Sequence, residues 1–197
     1  MTTFSLNSGL FIFDKDSRAI VDPISALDLV ARAGFTETEL LAEGEEWQTP
    51  SAHDASNIGR ALDRLGIYPH TIHTPYMDVN LASPDQEVRN AGIALVGDAM
   101  RFLSDLGGRT AVVHPSGPHR PGEPSLALDN IGTRMEYAHS AVSELVKVAE
   151  ETGIRMALEN LSSHRVHYRP LETTQELRSF MADFPAEYVG ICLDVGH

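Results

Sequence analysis

His73, His114, Glu159 and Asp194 are the residues of this chain best equipped for chemistry. Each falls at or next to the end of a segment that reads as a β-strand. Successive members are 41, 45 and 35 residues apart, one strand–helix unit each. Two imidazoles and two carboxylates offer nitrogen and oxygen donors suited to Zn, Mn, Fe, Co or Mg. The lack of cysteine among them argues against a closed structural zinc site. Each residue also has a plainer use. A lone strand-end histidine is ordinarily hydrogen-bonded or exposed, and a lone carboxylate there ordinarily caps the next helix. The coincidence of four at equivalent positions favours a shared divalent-metal site.

The elements that must position them alternate. FSLNSGLF opens as a strand. Pro23–Ala33 follows as a helix, with Ile24, Leu27 and Val30 on one face and Gly34 ending it. TETELL reads as a second strand, 51–65 as a second helix, and Tyr68–His73 as a third strand. Ser83 as N-cap and Pro84 in the first turn start a long helix that runs to Leu106. TAVVH is a fourth strand, and PSGPHRPGEP is a loop. A stripe from Leu128 through Met135, Val142 and Ala149 marks the next helix, and IRMALE is a fifth strand. A short helix capped by Thr173 or Thr174 precedes a sixth strand, YVGICLD.

Strands separated by helices require crossover connections and a parallel sheet. A doubly wound open sheet would often carry a Gly-rich phosphate turn, and neither G-x-G-x-x-G nor a P-loop is present. A (β/α)-barrel instead gathers strand ends at one mouth. Alternation agrees with a barrel wall. With Glu159 inward, Ala157 and Arg155 are inward, and Leu158 and Met156 face helices. With Asp194 inward, Cys192 and Gly190 are inward, and Val189, Ile191 and Leu193 face out. The expected fold is therefore α/β, a (β/α)8 TIM barrel that stops after its sixth strand. The whole chain, 1–197, reads as one such domain lacking strands seven and eight.

The composition is that of a globular protein: 197 residues, 42% apolar, 22% charged. The net charge of -13, with no run of Lys or Arg, disfavours nucleic acid as a partner. No apolar run approaches the ~20 residues that span a bilayer, so no membrane role is expected. One cysteine, Cys192, excludes an internal disulfide, and a cytoplasmic location is expected. Cys192 is expected to be a small wall residue and not a nucleophile.

AGFTETELL, HTPYMDVNLASPD, VVHPSG, ALENL and GICLDVGH, in that order along the chain, resemble the xylose isomerase-like TIM-barrel superfamily. That group includes sugar and sugar-phosphate isomerases and epimerases, inosose dehydratases and the endonuclease IV type of abasic-site nuclease. The resemblance implies that Glu159 and Asp194 are metal ligands and that His197 contacts substrate or, in the nuclease branch, a metal. His73 and His114 match metal ligands of the nuclease branch and substrate-pocket positions of the isomerase branch. Family enzymes take a further histidine from strand seven and a glutamate from strand eight. A chain ending at strand six leaves two open sheet edges and half a metal shell. It is expected to be a piece of a longer protein or a natural short form completed by a partner chain, and a homo-oligomer is a separate expectation.

The leading expectation is isomerisation or epimerisation of a sugar or polyol. Glu159 would move the proton beside the carbonyl, and His197 would hold a substrate oxygen. Arg165, with His167 and Arg169, would meet phosphate or hydroxyls, or simply be solvated. Phosphodiester cleavage at abasic DNA is the second expectation, and an inactive or binding-only piece the third. Of the remaining residues, His53 and His139 are expected to be exposed, and His70 to lie on the strand face opposite His73. His119 and His164 would rim the mouth. Trp47, Glu39 and Glu43 are ambiguous between pocket wall and surface.

Overall fold

The computed structural model describes residues 4–9, 22–43, 52–77, 79–117, 131–161 and 171–197. Six strands form one parallel sheet in sequence order, each bonded to the next: β1 (Leu6–Asn7), β2 (Glu37–Leu41), β3 (Tyr68–His73), β4 (Thr110–Val113), β5 (Arg155–Glu159) and β6 (Val189–Cys192). The helices between them are α1 (Pro23–Arg32), α2 (Ala52–Leu65), α3 (Gln86–Asp105), α4 (Ile131–Thr152) and α5 (Thr174–Phe180). This is a partial TIM barrel, as the alternating pattern predicts.

Local chemistry sets the helix ends. Asp22 accepts the Ser25 N–H at 3.0 Å ahead of Pro23, and Gly153 (φ +71) ends α4 in the left-handed region. Thr173 and Glu176 form a reciprocal capping box on α5. The start of α3 differs from expectation. Asp85, not Ser83, is the N-cap and accepts the Glu87 N–H at 2.8 Å, while Ser83 is buried and takes the Asp85 N–H. The strands are also shorter than the sequence reads: β1 is two residues, and β6 stops at Cys192 before Leu193 and Asp194.

Leu40, Ile72, Met156 and Leu158 point from the sheet into the helix layer, against Leu27, Met100, Leu103 and Leu145. Full burial of such a side chain contributes about 1.5–3 kcal/mol, so this layer fixes which strand face turns inward. Coverage fails at one edge. Val189 is buried, but Ile191 and Leu193 are 38% and 59% exposed. Val189 meets the outward parity expected for β6 by joining the core, whereas Leu193, past the strand end, lines the inner side of the sheet with Asp194.

One irregularity matters for counting. Thr38 pairs with Pro69 but Glu39 with Thr71, a bulge that leaves His70 as the extra residue. Pro69 has no N–H to give the ladder, which accounts for the slip. The slip breaks strict alternation on β3, so counting back from His73 does not set the face of His70. Its ring reaches the Glu37 carboxylate at 3.9 Å.

Candidate metal centre

Register places the first pair. Val113 on β4 pairs with Leu158 on β5, so the next residues, His114 and Glu159, stand side by side on the inner face. His114 Nε2 lies 3.0 Å from Glu159 Oε2, and His73 Nε2, at the end of β3, lies 3.3 Å from the same oxygen. On the other side, His197 Nδ1 is 3.8 Å from Glu159 Oε1, and its Nε2 is 3.5 Å from Asp194 Oδ2. Two donor trios result: His73–His114–Glu159 and Glu159–Asp194–His197, each with its ligand atoms within 4.8 Å of one another. Glu159 belongs to both.

All five residues line one open cleft of about 740 Å³ at the carboxyl ends of the strands, together with Asn7, Glu39, Tyr76 and Cys192. No Lys or Arg lines it among the described residues. Glu159 is 5% exposed, and Asp194 is partly open to solvent.

The electrostatics follow from crowding three titratable groups around one oxygen. Burial pushes the Glu159 carboxyl up, but hydrogen bonds from His114 and His73 outweigh it and hold the group well below the usual carboxylate range. Burial pulls both imidazoles down. At His73 the bonds to Glu159 and to the Thr74 carbonyl overcome it, and the net shift is upward. At His114 burial prevails, helped by the His73 charge, and the net shift is downward. One proton is thus held preferentially on His73. When it is protonated, both of its ring N–H groups have an acceptor, Nδ1 the Thr74 carbonyl and Nε2 the Glu159 carboxylate.

Such a cluster fits a divalent cation. Two Nε2 atoms converge on one carboxylate oxygen, and His73, His114 and Glu159 would hold the ion in exchange for protons. The donors are imidazole and carboxylate, suited to Zn, Mn, Fe or Co. Cys192 is not among them. Burial and the facing Glu159, Glu39 and Asp194 charges push its thiol up to about 12, which leaves it inert as a nucleophile.

The structure therefore brings together Glu159, Asp194, His73, His114 and His197, five of the six site residues expected from the sequence. Asp194 sits two residues beyond β6, on a turn. Arg165, His167, Arg169, His119, His164 and Trp47 lie outside the described residues, as does the side chain of His53. His139 departs from expectation. It is half-buried, stacked on Phe184 at 4.4 Å between ring centroids, because α5 and the turn after it fold back over α4.

Three further contributors were not assigned by sequence reasoning. Tyr76 packs its ring 5.0 Å from His73 and 4.8 Å from His114. Glu43 holds it there by accepting the backbone N–H groups of Tyr76 and Met77. Glu39 faces inward beneath the mouth and accepts from Asn7 Nδ2 at 2.5 Å and from Thr71 Oγ1 at 3.0 Å. HTPY carried a signal for Tyr76, an aromatic three residues past a strand-end histidine.

The sequence profile of the xylose isomerase-like TIM barrel family matches residues 27–197. The chain belongs to that family. Among curated relatives, an uncharacterized protein of Methanocaldococcus jannaschii is 27% identical over 173 residues, covering 88% of this chain and 56% of the relative. A Methanoculleus marisnigri protein named "Probable endonuclease 4" is 30% identical over 139 residues, covering 70% of this chain and 45% of the relative. Among solved structures, a D-tagatose 3-epimerase-like protein superposes with a TM-score of 0.80 at 24% identity, covering 100% of this chain and 66% of that one. The D-psicose 3-epimerase of Clostridium cellulolyticum H10 gives a TM-score of 0.73 at 23% identity, covering 88% and 58%. At these identities the structural likeness is one of fold. This xylose isomerase-like chain spans about half the length of the curated relatives it matches.

Proposed function

We propose that this chain is the larger part of a divalent-metal-dependent sugar or sugar-phosphate isomerase or epimerase. The observation that carries the reading is the convergence of His73, His114, Glu159, Asp194 and His197 on one cleft at the carboxyl ends of parallel strands. The epimerase names among the fold neighbours point the same way. We propose further that residues 1–197 form one domain with two strands to be added, by further chain or by a partner copy. The open edges at β1 and β6 and the exposed Ile191 and Leu193 support this. A cytoplasmic setting belongs to the same reading. No helix among the described residues is long and apolar enough to cross a membrane.

The chemistry that a divalent ion supplies when bound in such a site is Lewis-acid polarisation of a carbonyl, which acidifies the adjacent C–H. The residues do the rest. Glu159, held ionised, accepts the proton from carbon; isomerisation returns it to the neighbouring carbon, while inversion at the same carbon takes a proton on the opposite face from a second acid, the strand-eight glutamate that this chain lacks. Asp194 and the histidines anchor the centre. His197 accepts a substrate hydroxyl through Nε2, and Tyr76 walls the cleft against the ring of the sugar. Arg165 is reserved for a phosphate or hydroxyl.

A second reading, phosphodiester cleavage at abasic DNA, is favoured by one observation. Glu159 is shared by two donor trios, His73–His114–Glu159 and Glu159–Asp194–His197, which would offer donors for more than one ion, and two-metal sites suit in-line displacement at phosphorus. The marisnigri relative adds to it. Against it stand the acidic balance and the absence of Lys and Arg along the described cleft.

The deciding experiment incubates the protein with ketoses, ketose phosphates or inososes in D2O with Mn²⁺ or Co²⁺, and in parallel with an abasic-site duplex. Deuterium at the carbon beside the carbonyl, with the duplex intact, is the expected result. Nicked duplex without deuterium uptake replaces the isomerase with the nuclease. Neither reaction leaves a binding-only or inactive chain.

A further inference from the structure

We infer that Asn160 is a positioning residue: it carries the β5–β6 pairing past the strand ends and holds His197 in the tautomer that turns a bare Nε2 toward Asp194. Asn160 follows Glu159 directly and is 6% exposed. The strand register ends with Glu159 opposite Cys192. Beyond that point the side-chain amide takes over. Asn160 Nδ2 donates to the Asp194 carbonyl at 3.0 Å, and the Asp194 N–H donates to Asn160 Oδ1 at 2.8 Å. One donor and one acceptor of a single side chain thus satisfy both main-chain groups of Asp194, which a parallel strand would have bonded through two different residues. The amide thereby fixes a non-strand residue, Asp194, beside the end of β5.

The chain then turns back. The Gly196 N–H donates to Asp194 Oδ1 at 2.6 Å, and His197 Nδ1 meets the Asn160 main-chain carbonyl at 2.7 Å. A carbonyl only accepts, so Nδ1 carries the proton. In the neutral ring Nε2 is then unprotonated, 3.5 Å from Asp194 Oδ2. Asn160 therefore grips both ends of the 194–197 turn, Asp194 through its side chain and His197 through its backbone. A histidine without such a partner exchanges between its two tautomers, and its Nε2–H form would aim an N–H at the place where a lone pair is needed. Hydrogen bonds of this kind orient ligands without touching the bound group.

The inference rests on the metal-centre reading only for its effect on affinity, and the decisive measurement needs no metal. Long-range ¹H–¹⁵N correlation on the ¹⁵N-labelled, metal-free chain at about pH 8 reads the tautomer of His197 directly. The expected result is a single Nδ1–H tautomer in the native protein and a mixture of tautomers in Asn160→Ala. Thr173→Ala, which removes the cap of α5, should leave His197 unchanged. Zn²⁺ affinity of Asn160→Ala should fall about 10–100-fold. A native His197 that is Nε2–H or averaged overturns the inference whatever the variants do. So does a locked Nδ1–H tautomer in folded Asn160→Ala. If that variant does not fold, Asn160→Asp replaces it, since it keeps the acceptor but sets a carboxylate against the Asp194 carbonyl. A mixture is then expected, and a locked ring contradicts it. A locked native tautomer in a protein that binds no metal sinks the metal centre and leaves this inference standing.

Discussion

His114 and Glu159 are 45 residues apart in sequence, yet they occupy the same level on neighbouring strands, with Nε2 and Oε2 3.0 Å apart. His73 reaches the same oxygen from one strand further away. One carboxylate oxygen therefore organises two imidazoles, and the consequences of changing it are specific.

Glu159→Ala removes the acceptor that both histidines use. Leaving buried donors without a partner costs about 1–3 kcal/mol. Urea denaturation should show a lowered midpoint with the slope unchanged, and metal analysis of the purified variant should find bound divalent ion lost. Metal retained at the native level would remove Glu159 from the site.

Two of the shifted groups, Glu159 and His73, give the stability of the apo protein a defined pH window. Glu159 is held below its ordinary value, so its contribution is present above about pH 4.3 and is lost as pH falls toward its folded value. His73 is raised, so its contribution is complete below about pH 6.5 and is lost as pH rises through its folded value. Both are present together between these limits. Denaturation of native protein and Glu159→Gln at about pH 3, 5.5 and 9 should show the largest gap at the middle value. A gap that grows steadily toward high pH would contradict the assignment of the extra proton to His73.

Metal binding must displace that proton. Calorimetry in buffers of different ionisation enthalpy should find proton release on Zn²⁺ or Mn²⁺ binding near pH 6, and affinity should rise with pH through the His73 titration. His73→Ala should abolish most of the release. Binding without release would place the ion away from His73.

Two glycines, Gly117 in the loop after β4 and Gly132 in α4, give opposite expectations. A Cβ on Gly117 would stand 2.3 Å from the Val79 carbonyl oxygen and 2.5 Å from the Asn80 Cα, main-chain atoms that cannot swing aside. Gly117 also donates its N–H to Asn80 Oδ1, so Gly117→Ala should destabilise by about 1–3 kcal/mol. Gly132, in the first turn of α4, meets nothing within 4 Å, and Gly132→Ala should be neutral or stabilising by up to about 1 kcal/mol. Thermal unfolding of both variants checks the contrast.

The order of elements was legible because apolar periodicity changes from helix to strand and glycines mark the helix ends. The shared position of His73, His114 and Glu159 could be counted from strand ends, because parallel strands of a barrel put equivalent residues at one rim. What could not be counted depended on contacts between distant segments. Ser83 looked like the N-cap of α3, but burial turned it to other partners and Asp85 took the role. The slip at Pro69 hid the facing of His70. His139 read as a surface residue because nothing in α4 announces that Phe184 will stack on it. Asn160 stood inside a conspicuous motif, but its function lies in hydrogen bonds to residues 34 and 37 positions away.

The most direct test of the whole account is an anomalous-diffraction map of crystals grown with Zn²⁺. The account predicts a peak bounded by Glu159 and at least two of His73, His114, Asp194 and His197, at about 2.0–2.2 Å from their nitrogen and oxygen atoms. A cleft with no peak at saturating Zn²⁺, or ions bound only away from Glu159, would contradict it.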